Sequence, residues 1–269
     1  MRADHHNQAQ RVGLLSAKGR QEPTEKKIAE TDAIFEHLNQ MNAAADAAPD
    51  VLRISLDAKA TVKVGPFARG GKSRATTKAC DHDFKPDATI TPVGIFLPAS
   101  DELFIYEVTS KVTSDCLLDR LVQWWEAVRS RFAHITTLVV NLDNGPENHS
   151  RRTQFLRRMV EFAHQYGLCV RLAYYPPYHS KYNPIERCWG ILENHWNGAL
   201  LDTIDAVVNF TASMTWKGLQ PVVALVSTVY KTGVSLSKAA MAEIEAQVTR
   251  LPGLDKWFLD IPPAACRDG

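Results

Sequence analysis

No apolar run in the 269-residue sequence approaches the ~18 residues that a bilayer-spanning helix needs, so no stretch reads as a membrane span. The N-terminal MRADHHNQAQRVGLLSAKGRQ lacks the apolar centre of a secretory signal. Cysteine is scarce as well: there are five, an odd number with no CxxC pair. Reduced thiols in a cytosol are therefore expected rather than a disulfide framework. Cys80-Asp81-His82 has no partner pair at ligand spacing and does not make a zinc site. Bulk charge is missing too, because the net value of +1 names no partner. Internal repeats and low-complexity tracts are absent.

An apolar fraction of 45% and a charged fraction of 23% are those of a soluble globular protein. The length allows one large domain or two small ones, with a substantial core. Charge is small in sum but uneven in place. Six cations (Lys59, Lys63, Arg69, Lys72, Arg74, Lys78) stand between Asp57 and Lys78 against one acid. Seven more (Arg151, Arg152, Arg157, Arg158, Arg171, Lys181, Arg187) stand between Arg151 and Arg187 against two acids. A solvated surface explains such clusters in general. Here they flank the carboxylates described next, as expected of a site that processes a polyanion.

Residues 1–22 are polar and aperiodic and read as a tail, and residues 23–50 as a leading helix bearing Ile28, Phe35, Leu38 and Met41. In Val51–Asp57 the apolar Leu52, Ile54 and Leu56 alternate with Arg53, Ser55 and Asp57, which predicts a half-buried strand with Asp57 on its polar face. Further strands are expected at 61–64, 90–97, 102–108, 137–143 and 169–174, and a long loop at 67–86. Helices are expected at 114–132, 151–166 (with Gly167 as C-cap), from Asn183 onward, at 203–214 and at 237–250. Strands followed by strand–helix alternation indicate an α/β domain with a mixed sheet, whose sites gather at the carboxyl ends of strands.

Three carboxylates stand out against that pattern. Asp143 closes the β-branched run Thr137–Leu142 and precedes the turn Asn144-Gly145-Pro146; it could cap that turn or sit at the mouth of a site. Asp57 ends an alternating strand, where Asp is depleted, although a solvated face would also accept it. Glu186 falls at the third position of a helix entered through Asn183 and Pro184, so N-x-x-E resembles a capping box. Ile185, Trp189, Leu192 and Trp196 form the buried stripe of that helix and leave Glu186 at its edge. Two aspartates and a glutamate are hard oxygen donors suited to Mg²⁺ or Mn²⁺. Two such ions ~4 Å apart can stabilise the entering and leaving oxygens of a phosphodiester.

L-D-A-K around Asp57, N-L-D-N-G-P-E-N around Asp143 and Y-P-P-Y-H-S-K-Y-N-P-I-E-R-C-W around Glu186 resemble the three blocks of DDE transposases. The resemblance is to bacterial insertion-sequence enzymes related to the mariner-like superfamily, most closely the Rhodopirellula-type transposase family. It runs from about Lys26 into the C-terminal region. It implies a ribonuclease-H-like α/β fold, a mixed sheet flanked by helices, over 51–269, ending in a helical extension. It also implies a metal-dependent triad of Asp57, Asp143 and Glu186, with Mg²⁺ or Mn²⁺ as two ions, that cuts transposon ends and joins the 3′-hydroxyl to target DNA. Lys59, Asn144, His179, Lys181, Asn183 and Arg187 would support the site or touch DNA. The 42 residues between Asp143 and Glu186 exceed the commonest mariner-like interval. About fifty residues precede Asp57, without a convincing helix-turn-helix pair. The expectation is thus a cytoplasmic, nucleoid-associated catalytic core lacking its DNA reader. A homodimer and a separate end-binding module are its possible partners besides DNA. The competing reading is an inert remnant that only binds DNA.

Overall fold

The alternating stretch at 51–57 forms the central strand of a sheet. The computed structural model describes residues 27–67, 86 and 88–264. Strand β1 (Val51–Ala58) runs parallel to β5 (Thr137–Leu142), and β5 runs parallel to β6 (Cys169–Tyr174). On the other side of β1, β3 (Ala88–Leu97) is antiparallel and pairs in turn with β4 (Glu102–Val108). A short β2 (Val62–Val64) pairs with β3 off the main path.

Register explains how the two faces are covered. Leu52, Ile54 and Leu56 stand opposite Leu138, Val140 and Leu142, which stand opposite Val170, Leu172 and Tyr174. This apolar face carries α2 (Ser114–Val128) and α3 (Thr153–Tyr166), and together they form the larger core. Thr113 caps α2 by accepting from the Cys116 N–H at 3.2 Å. Gly167 closes α3 at φ 65°, the left-handed geometry expected of a C-cap glycine. The second core lies on the opposite face, where Phe96, Leu103 and Ile105 meet α4 (Pro184–Trp196) and α5 (Ile204–Ser213). Ile185, Trp189, Leu192 and Trp196 are the buried stripe of α4, as its spacing predicts. Burial of side chains of this size contributes about 1.5–3 kcal/mol each. α1 (Thr31–Ala47) packs on β1 through Asp46, which takes the Arg53 guanidinium at 2.7 Å, and Asn42, which accepts from Asn141.

Three expectations change. β1 is not half-buried, because α4 covers the polar face and leaves Ser55 at 0% and Asp57 at 7% exposure. The leading helix starts at Thr31 rather than Pro23, with residues 23–26 outside the described part. The C-terminal region keeps helices at 204–213 and 238–245 but is not helical throughout. It returns three strands to the sheet: β7 (Val222–Val226) beside β4, and β8 (Thr249–Arg250) and β9 (Phe258–Ile261) beyond β6. The helix expected at 237–250 stops at Glu245 as α6 (Lys238–Glu245). Val248-Thr249 is β-branched and Pro252-Gly253 breaks the chain direction, so pairing with β9 wins there. The final strand order is β7-β4-β3-β1-β5-β6-β9-β8.

Candidate active site

Two of the three acids are brought together by sheet register alone. Leu56 is the partner of Leu142 in the parallel β1–β5 ladder. Asp57 and Asp143 are each the next residue toward the carboxyl end, so they stand side by side on strands ~4.8 Å apart. Both share the α4 face with Ser55 and Asn141, as the period of two requires. Two central parallel strands thus deliver two carboxylates to one rim of the sheet.

Asp57 is the buried one. Its Oδ2 accepts a hydrogen bond from the Trp189 indole N–H at 2.8 Å. Burial, reinforced by the charge of Asp143 and more weakly of Glu186, pushes its carboxyl up to about 7, against the opposing pull of the Trp189 bond. The indole can come this close because Gly94, opposite Asp57 on β3, has no side chain. A Cβ there would lie 2.5 Å from the Trp189 ring and 2.7 Å from Ile185 Cδ1.

Asp143 sits at the lip, partly exposed, and its Oδ1 accepts from the Asn148 carboxamide at 2.8 Å. The turn after it is tight. A methyl group on Gly145 would stand 3.0 Å from Asn148 Oδ1 and 3.3 Å from both Asp143 carboxylate oxygens. Tyr174, fully buried on the other face, anchors this loop by donating its hydroxyl to the Asn148 carbonyl at 2.7 Å.

Glu186 comes from the first turn of α4, but the capping box its spacing suggests is not made. Asn183 makes no side-chain cap; its Oδ1 instead accepts from the buried Ser55 hydroxyl, and that hydroxyl accepts from the Ile185 N–H at 3.4 Å. The helix start is therefore pinned to β1, two residues from Asp57. Burial raises the pKa of the Glu186 carboxyl, the Ser180 side chain opposes this, the Asp143 charge raises it further, and Lys59 lowers it.

The loop ahead of α4 is braced from behind. Ser180–Tyr182 form a single 3-10 turn. His179 is 2% exposed, with Nδ1 2.8 Å from the Pro177 carbonyl, stacked on Tyr182 and edge-on to Phe35 of α1.

The residues expected at DNA divide into two groups. Asn144, Lys181 and Arg187 are exposed, whereas His179 and Asn183 are buried and turned into the protein. Lys59 is partly buried, its Nζ 2.7 Å from Glu193 Oε2 and lying over the Trp196 ring. The expected basic surround is only partly realised. Arg152, Arg157 and Arg158 belong to the α2/α3 side of the sheet, paired with Glu147, Glu161, and Asp115 and Asp119 respectively. Arg69, Lys72, Arg74 and Lys78, like Cys80-Asp81-His82, lie outside the described residues.

The acids are not drawn into a finished cage: among the described residues, no group of three His, Cys, Asp or Glu side chains is placed to hold a metal ion. Burial above all, and the charge of Asp143 after it, raises the carboxyls of both Asp57 and Glu186. An all-oxygen donor set at a repulsive rim suits a hard divalent cation, which would remove that repulsion.

The family described as the Rhodopirellula transposase DDE domain matches residues 10–263, a span that contains all three acids in their order. The chain belongs to this family. Members of the Rhodopirellula transposase DDE family are thereby its relatives, although no curated protein matches the sequence. The Mos1 mariner paired end complex with Mn superposes at TM-score 0.51 and 13% identity, covering 74% of this chain and 58% of that one. This family member therefore has the ribonuclease-H-like fold. A Mos1 paired-end complex with the left transposon end gives TM-score 0.49 at 12% identity over 74% and 58% of the two chains. The HTLV-2 integrase catalytic core with magnesium gives 0.38 at 16% identity, covering 65% of this chain and 95% of that one.

Proposed function

We propose that this chain is the catalytic core of a DNA transposase that cleaves and joins strands with Mg²⁺ or Mn²⁺ held by Asp57, Asp143 and Glu186. The observation that carries the reading is the register: two acids on adjacent parallel strands, side by side at their carboxyl ends, with a third acid within electrostatic range on α4. The cation, bound as one ion or a pair, would polarise the phosphodiester and ease deprotonation of the attacking hydroxyl.

The chain's own groups would do the rest. Asp57 would hold the cation from the most enclosed of the three positions, with one oxygen oriented by the Trp189 indole. Asp143, nearest the lip, faces the incoming strand. Glu186 closes the set from α4, and its partial burial keeps bulk water off one side. Phosphoryl transfer demands mainly positioning and neutralisation of charge, so no further nucleophile from the protein is needed. Exposed Asn144, Lys181 and Arg187 would contact phosphates around this rim. His179 and Asn183 would support the site from within.

The test is strand joining on pre-nicked DNA with a free 3′-hydroxyl, in Mg²⁺ or Mn²⁺, with wild type beside Asp143→Asn. This substrate removes any need for end recognition. Metal-dependent joining that is lost in the variant supports the reading. Salt-sensitive DNA binding, with neither joining nor Mn²⁺ binding, would overturn it in favour of an inert DNA-binding remnant.

A further inference from the structure

We propose that Trp189 and Asn148 are positioning residues of the acid triad, each orienting one aspartate with a neutral hydrogen bond. The inference rests on the cation-binding reading of these acids. Trp189 holds Asp57 at 2.8 Å, and Asn148 holds Asp143 at 2.8 Å. Each donor stands on a segment that carries an acid of the set. Asn148 lies five residues beyond Asp143, and Trp189 on the same helix as Glu186.

Neutral donors solve a specific physical problem. An isolated carboxylate rotates about its last bond, and ordering it when a cation arrives costs conformational entropy. An Arg or Lys donor would order it but also cancel the charge the cation needs. An indole N–H and a carboxamide order the oxygens and leave the negative charge in place. Lys59, the cation nearest in sequence to Asp57, is directed to Glu193 on the outer part of α4 instead.

Trp189 is the more constrained of the two. It is 4% exposed, its ring rests against the Cβ-less Gly94, and its N–H ends on the most buried acid of the triad. The indole nitrogen is the part that packing alone does not require.

The experiment measures Mn²⁺ binding to the full chain without DNA, by electron paramagnetic resonance titration, together with thermal midpoints. Trp189→Phe keeps an aromatic ring and removes the N–H. Trp124→Phe is the matched control: Trp124 is fully buried on the opposite face, and its indole N–H has no hydrogen-bond partner among the described residues. The expected result is Mn²⁺ affinity weakened about tenfold in Trp189→Phe, the scale of losses from outer hydrogen-bond partners at metal sites. Trp124→Phe should match wild type at comparable thermal stability, and Asn148→Leu should weaken Mn²⁺ binding as Trp189→Phe does. Equal affinity in Trp189→Phe and wild type overturns the inference while leaving the metal reading intact. Equal weakening in both Trp variants, tracking their loss of stability, overturns it by making Trp189 structural only. Absence of Mn²⁺ binding in wild type overturns the metal reading and this inference together.

Discussion

Gly94 and Glu107 illustrate how single residues on one sheet face set what the site tolerates. Gly94→Ala would force a methyl to within 2.5 Å of the Trp189 ring. The expected cost is ~1–3 kcal/mol of stability, typical of overpacking, with a disproportionate loss of Mn²⁺ binding because Trp189 is displaced from Asp57. Chemical denaturation beside a Mn²⁺ titration would measure both. Glu107 is a fourth acid on this face, 0% exposed, with Oε1 accepting from Thr211 at 2.6 Å and Oε2 without a partner among the described residues. Burial pushes its carboxyl from 4.5 to about 7, against the Thr211 bond and the Lys59 charge. Because the folded state holds this proton more tightly, its stabilising contribution is complete below pH 4.5 and is lost as pH rises through 7. Glu107→Gln should flatten that decline, making the metal-free variant more stable than wild type at pH 8 and nearly equal at pH 4. A pH series of thermal melts in EDTA checks the sign.

Among these residues, legibility followed periodicity and motif. Asp57 and Asp143 stood out because acids at strand ends break a pattern, and Glu186 because of the string around it. Trp189 was visible only as a member of an apolar stripe, since helical spacing says which side is buried and nothing about where an N–H ends. Gly94 gave no signal, because its meaning depends on a ring that arrives 95 residues later in the chain.

At the scale of elements, the junction between β1 and α4 organises the site. Ser55 and Asn183 tie the first residue before α4 to the middle of β1. Asn183→Ala removes the acceptor from a buried hydroxyl, so the expected loss is ~1–3 kcal/mol, larger than the ~1 kcal/mol of an ordinary cap deletion. Asn183→Ser, which keeps a shorter neutral oxygen acceptor, should recover part of the loss that Asn183→Ala shows; urea unfolding would order the two. The N-x-x-E spacing suggested a local cap, and a partner 128 residues away took the Asn side chain instead. Local sequence cannot rank a cap against a tertiary acceptor. The C-terminal strands were missed for a related reason. Val222–Val226 is five residues long, Phe258–Ile261 four and Thr249–Arg250 two, too short for periodicity to separate strand from loop.

Over the whole molecule, the sheet sorts the cations into two populations that look alike in the sequence. Arg157 and Arg158 pair with acids on the α2/α3 side, while Lys181 and Arg187 are exposed on the side of the triad. Lys181→Ala and Arg187→Ala should each weaken DNA binding and reduce the slope of log affinity against log salt by about 0.9. Arg157→Ala should leave both unchanged. Fluorescence anisotropy on one duplex over a salt series gives the slopes, and equal slopes in all three variants would place DNA elsewhere on the surface.

The bonds that join β1 to α4 have a consequence for when the triad can exist. Ser55–Asn183, Asp57–Trp189 and Lys59–Glu193 link residues 128, 132 and 134 positions apart. A ribosome that has just released β1 must translate through α4 before any of these partners is available. Until then Asp57 lacks its indole donor, and Glu186 has not joined the two aspartates. Long-range closure of this kind also slows folding. Assembly of the proposed triad thus waits on the synthesis of α4, a delay set by the order of the elements.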